Sequence, residues 1–427
     1  MPPRIHVRNG HVIDPSSLIN EPLDLYIADG KVVGLRHPPH GFMADECIDA
    51  YGRIVCPGLV DLRARLREPG QEHKATIASE TRAAARGGIT TLCCPPDTDP
   101  VVDTPAVAEL IHRRAELQGM ARVMVLGALT QGLNGTHLSE MEALKREGCV
   151  GVSNALRPVT NTLVLRRAFE YAATHDLTVF LHANDPWLSE SGCVHEGIVS
   201  TLLGLPGIPH AAETVCLLRD LILIEQTGVR AHFCQLSTAR AVSLIRQARE
   251  QGLPVSADVT AHHLHLTEND VLGFNSQCHV LPPLRTERDR LALREGIEEG
   301  TLSAVCSDHQ PHDRDAKEAP FCATEPGISG LETLLPLTLR LVEEGILTLP
   351  QAIARLTLGP VKILGIEGAS LTVGSRADIC IFDPTRRWQL RAEGMLSQGR
   401  NTPFMGWDLK GQVTHTLLGG RIVYAES

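Results

Sequence analysis

Eight short apolar runs, separated in most cases by amphipathic helical patterns, constrain this chain more than any other feature. The runs are RIVCPGLVDL, GITTLCCP, ARVMVLGAL, CVGVS, LTVFLHA, VRAHFCQ, LPVSADV and LSAVCSD. Between them lie TIASETRAAARGG, SEMEALKREG, TLVLRRAFEYAATHD, AAETVCLLRDLILIEQTG, ARAVSLIRQAREQG and RDRLALREGIEEG, with apolar residues three and four apart and glycine often at the exit. Eight parallel strands joined by helices predict an α/β fold, a (β/α)8 TIM-type barrel. An open doubly wound sheet is the rival, but no G-x-G-x-x-G follows a strand.

The chain has 427 residues, more than the ~250 of a simple barrel, which leaves room for a smaller module. RIHVRNGHVID and DLYIADGKVVGL near the start, and ADICIFDP and QVTHTLLGGRIVYAE near the end, alternate in polarity around Asn-Gly, Asp-Gly and Gly-Gly turns. These are hairpin marks. The two ends are expected to pair as a composite β-domain, with residues 1–54 and 366–427 flanking a barrel over 55–365. GLETLLPLTLRLVEEG and TLPQAIARLTLGPVKILG complete a helical shell between barrel and module.

The formal charge of -10 is spread without acidic or basic blocks, so no footprint for nucleic acid or anionic lipid emerges. No apolar run approaches the ~20 residues of a membrane span, and MPPRIHVRNG lacks the apolar core of a signal peptide. The expected location is the cytoplasm. Twelve cysteines are scattered without a C-x-x-C pair, most of them inside strand-like runs, and are read as buried reduced thiols.

Working residues of a barrel sit at the C-terminal ends of its strands. The candidates are Asp61, Arg63, Arg65 and Arg67 after the first run, Asp97 after the second, and Ser153 and Asn154 after the fourth. His182 follows the fifth run, Gln235 the sixth, His262 and His263 the seventh, and Asp308, His309 and His312 the eighth.

PGLVDLRARLREPG, GITTLCCPPDTDPVVDT, VHEGI with GIPHAAET, DVTAHHLHLTENDV, LPPLR, SDHQPH and NTPFMGW together resemble the dihydroorotase branch of the amidohydrolase superfamily, in order and over nearly the full length. The resemblance implies a metal-bearing barrel with a flanking β-domain, whose active members hydrolyse or close a cyclic amide at a zinc centre. The departures from that pattern matter more. The family's His-x-His metal ligands stand here as Arg63 and Arg65, side by side on one strand face. A guanidinium offers donors only and stays protonated, so two of them should exclude zinc.

The family's bridging acid is Asn154 and its sixth-strand histidine is Gln235. Only His182 and Asp308 keep ligand-type residues at ligand places, fewer than the three protein ligands of a catalytic zinc. In the substrate pocket Arg67 and His312 match the family, whereas Asp97 and Leu281 replace asparagines. Losing those partners and adding a negative charge should weaken binding of an anionic ring. With no metal-activated water, Asp308 is vestigial as a proton acceptor. No cofactor and no turnover are expected.

What the resemblance then implies is an inactive dihydroorotase homologue of the kind that assembles with bacterial aspartate carbamoyltransferase, commonly six of each chain. The alternative is an active cyclic-amide hydrolase with a single metal on His182, Asp308 and one of His262 or His263. For Arg63 and Arg65 the main expectation is internal pairing with Asp308, Asp61 or Asp97. The other is an anion site shared with Arg67. His262, His263 and His182 are read as structural and the Cys93–Cys94 pair as buried thiols, while HEGI around His195 lacks the second histidine of a metalloprotease motif.

Overall fold

A computed structural model describes residues 2–426. The alternating N-terminal segment forms β1 (Ile5–Asp14), β2 (Ile19–Ala28), β3 (Lys31–Leu35), β4 (Glu46–Asp49) and β5 (Ile54–Pro57). β1 pairs antiparallel with β2 and parallel with β4 and β5. Asp29 and Gly30, both at positive φ, make the turn from β2 to β3.

Gly58 then ends one sheet and starts the other. A Cβ at this position would collide with the Thr90 side chain, so only glycine lets the chain pass. Residues 55–57, expected in the barrel, therefore pair with the module sheet, and the barrel begins at β6 (Leu59–Asp61).

After α1 (Ile77–Arg86) come β7 (Ile89–Cys94), α2 (Pro105–Gln118), β8 (Arg122–Ala128), α3 (Met141–Arg146), β9 (Gly151–Ser153), α4 (Thr162–Thr174) and β10 (Val179–Leu181). An excursion follows, with β11 (Val194–His195), α5 (Ile198–Leu203) and β12 (Gly207–Ile208), before α6 (His210–Thr227) returns to β13 (Ala231–Phe233). α7 (Ala239–Glu250), β14 (Val255–Thr260), α8 (Glu287–Glu299) and β15 (Ala304–Cys306) complete the alternation. The eight barrel strands pair in sequence order, all parallel. Closure comes just beyond β15, where Arg65 N donates to His309 O at 2.9 Å and His309 N donates to Arg63 O at 3.1 Å. All eight predicted strands are present.

Local chemistry sets the helix ends. Thr286 caps α8 in a reciprocal bond with Asp289, and Gly300 closes it in the left-handed region at φ 87°. α2 was not foreseen from the sequence, although Pro105 at its start and buried Val107, Ala108, Ile111 and Ala115 mark it. α9 (Leu334–Glu343), α10 (Leu349–Leu356) and α11 (Leu358–Leu364) form the expected shell, and α11 packs Val361, Ile363 and Leu364 against barrel-interior Phe180, Ala304 and Cys306. β16 (Ile379–Gln389), β17 (Asp408–Leu418) and β18 (Arg421–Ala425) join the N-terminal strands through the β16–β5 pairing. The two chain ends thus build one sheet, with its own core of Ile5, Val7, Leu25, Ile27, Ile379 and Ile381.

The cysteine expectation needs one correction. Cys193 and Cys322, 129 residues apart in sequence with Cα atoms 5.6 Å apart, form a disulfide. The other ten are free, all buried except Cys47. Among the described residues no helix is long and apolar enough to cross a membrane.

Candidate functional site: an arginine-filled barrel mouth

Beyond Asp61 the chain continues extended, so Arg63 and Arg65 share one face, and it is the inner one: they are 3% and 5% exposed. Arg63 Nε lies 3.2 Å, and Arg65 Nη1 3.4 Å, from the same oxygen, Asp308 Oδ1. Gln310 Nε2 donates to the other oxygen, Oδ2, at 3.0 Å. Burial pushes the Asp308 carboxyl up, and Arg63, Arg65 and Gln310 only partly offset it. For Arg63 burial acts to lower the pKa, but Asp308, Cys234, Asp97 and Cys306 together outweigh it, and the guanidinium is held charged.

Arg65 reaches sideways as well. Its Nε donates to Asp97 Oδ2 at 2.9 Å and its Nη2 stands 2.8 Å from that oxygen. Burial raises the Asp97 carboxyl, yet Arg65, Arg63 and Arg67 together bring it below its usual range. Asp61, named as a possible partner, instead accepts from Ser307 N at 2.8 Å and from the Ser307 hydroxyl. Burial lifts its pKa to about 6, with the Ser307 bonds opposing.

Arg67, at φ 62°, turns away from the centre. It donates to Pro311 O at 3.0 Å and Gln71 Oε1 at 3.2 Å, and its Nη2 lies 3.2 Å from His312 Nε2. Burial, then Arg65, lowers its pKa to about 10. His312 is fixed by its backbone N–H on Asn401 Oδ1 at 2.8 Å, while Asn401 Nδ2 donates to Gln310 O and Gly327 O. The NTPFMGW segment thus reaches back to the mouth.

The remaining candidates divide. Asn154 serves its own loop: it accepts from Thr130 Oγ1 at 2.7 Å and donates to Leu133 O and Arg157 O. Gln235, at φ 50°, is 1% exposed and its side-chain amide has no partner. His182 keeps an unpartnered Nδ1, and burial, followed by Arg63 and Arg65, drops its pKa to about 3. His263 Nδ1 lies 2.6 Å from Thr260 Oγ1, and its ring is tilted by 39° against that of His262 with ring centres 4.7 Å apart. Ser153 Oγ donates to Phe180 O. Leu281 is half-buried and brings no polar group. His195 Nδ1 lies 3.0 Å from Arg285 Nη1. Burial raises both Cys93 and Cys94, the latter to about 12, so neither is a ready thiolate.

Three supports, Gln310, Glu80 and Ser397, escaped the sequence. Gln310 steadies Asp308, and His309 donates from Nε2 to Glu80 at 2.7 Å while accepting from Gly330 N, with Ser397 Oγ also on Glu80. SDHQPH pointed to His309, but Glu80 and Ser397 come from distant helix and loop positions.

These side chains do not fit a zinc centre. The guanidinium groups present only N–H donors, Asp308 directs its oxygens at them and at Gln310, and Asn154 spends its amide on the loop. His182, Asp308 and either His262 or His263 are not assembled as a ligand set. Among the described residues, the group of His, Cys, Asp or Glu side chains with ligating atoms within 4.8 Å of one another is His232, Cys234 and Asp258. That group is already bonded internally, His232 to Ser256 at 2.8 Å and to Asp258 at 2.9 Å.

Fold and mouth together define a closed (β/α)8 barrel whose mouth is filled by buried arginines paired with Asp308 and Asp97. The architecture matches solved structures: an L-hydantoinase from Arthrobacter aurescens aligns over 100% of this chain and 97% of its own with TM-score 0.88 at 24% identity. A D-hydantoinase aligns at TM-score 0.86 and 23% identity, over 99% of this chain and 95% of its own. A profile described as Dihydro-orotase-like matches residues 52–241. A Pseudomonas aeruginosa "Dihydroorotase-like protein" is 51% identical over 98% of this chain and 99% of its own length. A Geobacter metallireducens "Dihydroorotase" is 43% identical with the same coverage. The chain belongs to the dihydroorotase-like family.

Proposed function

We propose that this chain is a non-catalytic member of its family, a cytoplasmic assembly subunit that holds aspartate carbamoyltransferase catalytic chains in a hetero-oligomer of six plus six. The observation that carries the reading is the convergence of Arg63 and Arg65 on one oxygen of Asp308. Two guanidinium groups neutralise the carboxylate that a divalent ion would otherwise serve, and the barrel remains packed without chemistry. The outer surface is free of that loss. A subunit that binds only the assembled partner stabilises it by mass action, through an interface that must exceed ~1,000 Å².

Light scattering on the purified chain, alone and mixed with aspartate carbamoyltransferase catalytic chains, tests the assembly. A particle holding both chains in equal number, with transcarbamoylase activity dependent on this chain, is the expected result. Separate elution of the two, together with zinc-dependent hydrolysis of dihydroorotate by this chain alone, would refute the reading.

A further inference from the structure

The first turns of α6, α7 and α8 open on one cavity of about 690 Å³, bordered by His210, Arg240 and Arg288 from those turns and by His195 from β11. Small-molecule sites measure ~300–1,000 Å³. Arg63, Arg65, Asp97 and Asp308 are not among its walls, so it is separate from the arginine-filled mouth.

The walls carry more positive charge than the chain itself answers. Arg240 and Arg288 are exposed, and among the described residues neither guanidinium meets a carboxylate or another hydrogen-bond acceptor. The one carboxylate in the walls, Asp289, is spent on its neighbours: Oδ1 accepts from Ala239 N at 2.9 Å, and Oδ2 from Thr286 N at 3.3 Å and Thr286 Oγ1 at 2.6 Å. Glu213 is buried and accepts from the backbone N–H groups of Ser237 and Thr238. α6 begins without a side-chain cap, so its first N–H groups add partial positive charge to the same space.

His195 adds a directed donor. It is 7% exposed, and Arg285 Nη1 reaches its Nδ1 at 3.0 Å and Ile208 O at 2.7 Å. A guanidinium only donates, so Nδ1 accepts and the ring hydrogen sits on Nε2. Burial, then Arg285, lowers the pKa of the ring to about 4, so it stays neutral and keeps this tautomer. Nε2 has no partner in the chain, and the ring borders the cavity. A largely buried side chain that leaves a donor unmet calls for an acceptor from outside.

We propose that this cavity binds a phosphate dianion, free or carried by a small ester, with Arg240 and Arg288 as charged donors and His195 Nε2 as a neutral one. Phosphate oxygens point in several directions and suit donors that arrive from three elements, and a helix N-terminus favours the same charge. The site is independent of whether the chain assembles with a partner.

Calorimetric titration of the full-length chain with inorganic phosphate and with glycerol 3-phosphate, at constant ionic strength, tests the site in solution. One site per chain is expected. The Arg240→Ala, Arg288→Ala double variant should bind at least ~10-fold more weakly, as for the loss of charge-assisted bonds, with an unchanged unfolding midpoint in the absence of phosphate because neither side chain has a partner to lose. His195→Asn, whose amide can accept from Arg285 but places nothing where Nε2 stood, should also weaken binding. Tighter binding of glycerol 3-phosphate assigns the cavity to an ester, and tighter binding of inorganic phosphate to the free ion. Crystals soaked in tungstate, with diffraction at the tungsten edge, should show an anomalous peak among Arg240, Arg288 and His195. No measurable binding, ordered water alone in the cavity, tungstate confined to other surfaces as an adventitious ion only, or equal affinity in the wild type and the double variant would overturn the proposal.

Discussion

Arg63 and Arg65 bring two positive charges to one carboxylate, and that pairing explains how a buried Asp308 survives in the folded chain. A carboxylate left alone at 2% exposure would carry the full penalty of desolvation. Removing one arginine should therefore hurt more than an ordinary truncation. Arg63→Ala is expected to cost ~3–5 kcal/mol in urea unfolding, the range of a broken buried ion pair, and an unmoved midpoint would contradict the pairing. His182 offers a second test. Its pKa falls from an ordinary 6.5 to about 3 on folding, so between those values the unfolded chain binds a proton that the folded chain refuses. Stability due to this ring therefore rises with pH across that window and is lost on acidification. His182→Leu is expected to reduce proton uptake on unfolding at pH 5 by about one proton, measured calorimetrically in buffers of different ionisation enthalpy. At this scale the sequence was informative where spacing decides: two arginines two apart on a strand must share a face. It was silent where partners come from afar, as with Asn154, whose bonds to Thr130, Leu133 and Arg157 belong to loop closure.

The elements carry the next lesson. Eight apolar runs identify eight strands because a barrel strand must be buried, and each is bounded by helical periodicity or turn residues. The break at Gly58 was hidden, since it depends on the approach of Thr90 from β7. The Cys193–Cys322 pair was hidden too, because loops on separate excursions bring it together. α2 was missed although its apolar residues keep helical spacing. The candidate site is likewise distributed over elements: the arginines follow β6, Asn154 comes just after β9 and Gln235 two residues beyond β13. Reverting one strand leaves the others unchanged. The Arg63→His, Arg65→His double variant is expected to show no dihydroorotate hydrolysis above background with zinc present. Measurable turnover would show that the remaining strands still provide a competent shell.

The whole molecule keeps an intact barrel, closed between β6 and the segment after β15, and a module sheet built from both chain ends. Sequence patterning made that architecture legible because hairpin alternation at the ends and strand–helix alternation in the middle are different periodicities. The surface that would meet a partner is not legible in the same way, since exposed residues follow no comparable period. What unites the scales is charge: a mouth occupied by guanidinium groups has no place for a divalent cation. Diffraction at the zinc edge from crystals grown with zinc tests this most directly. The expected map has no anomalous peak within bonding distance of His182 and Asp308; a peak bridging those two side chains would contradict the account.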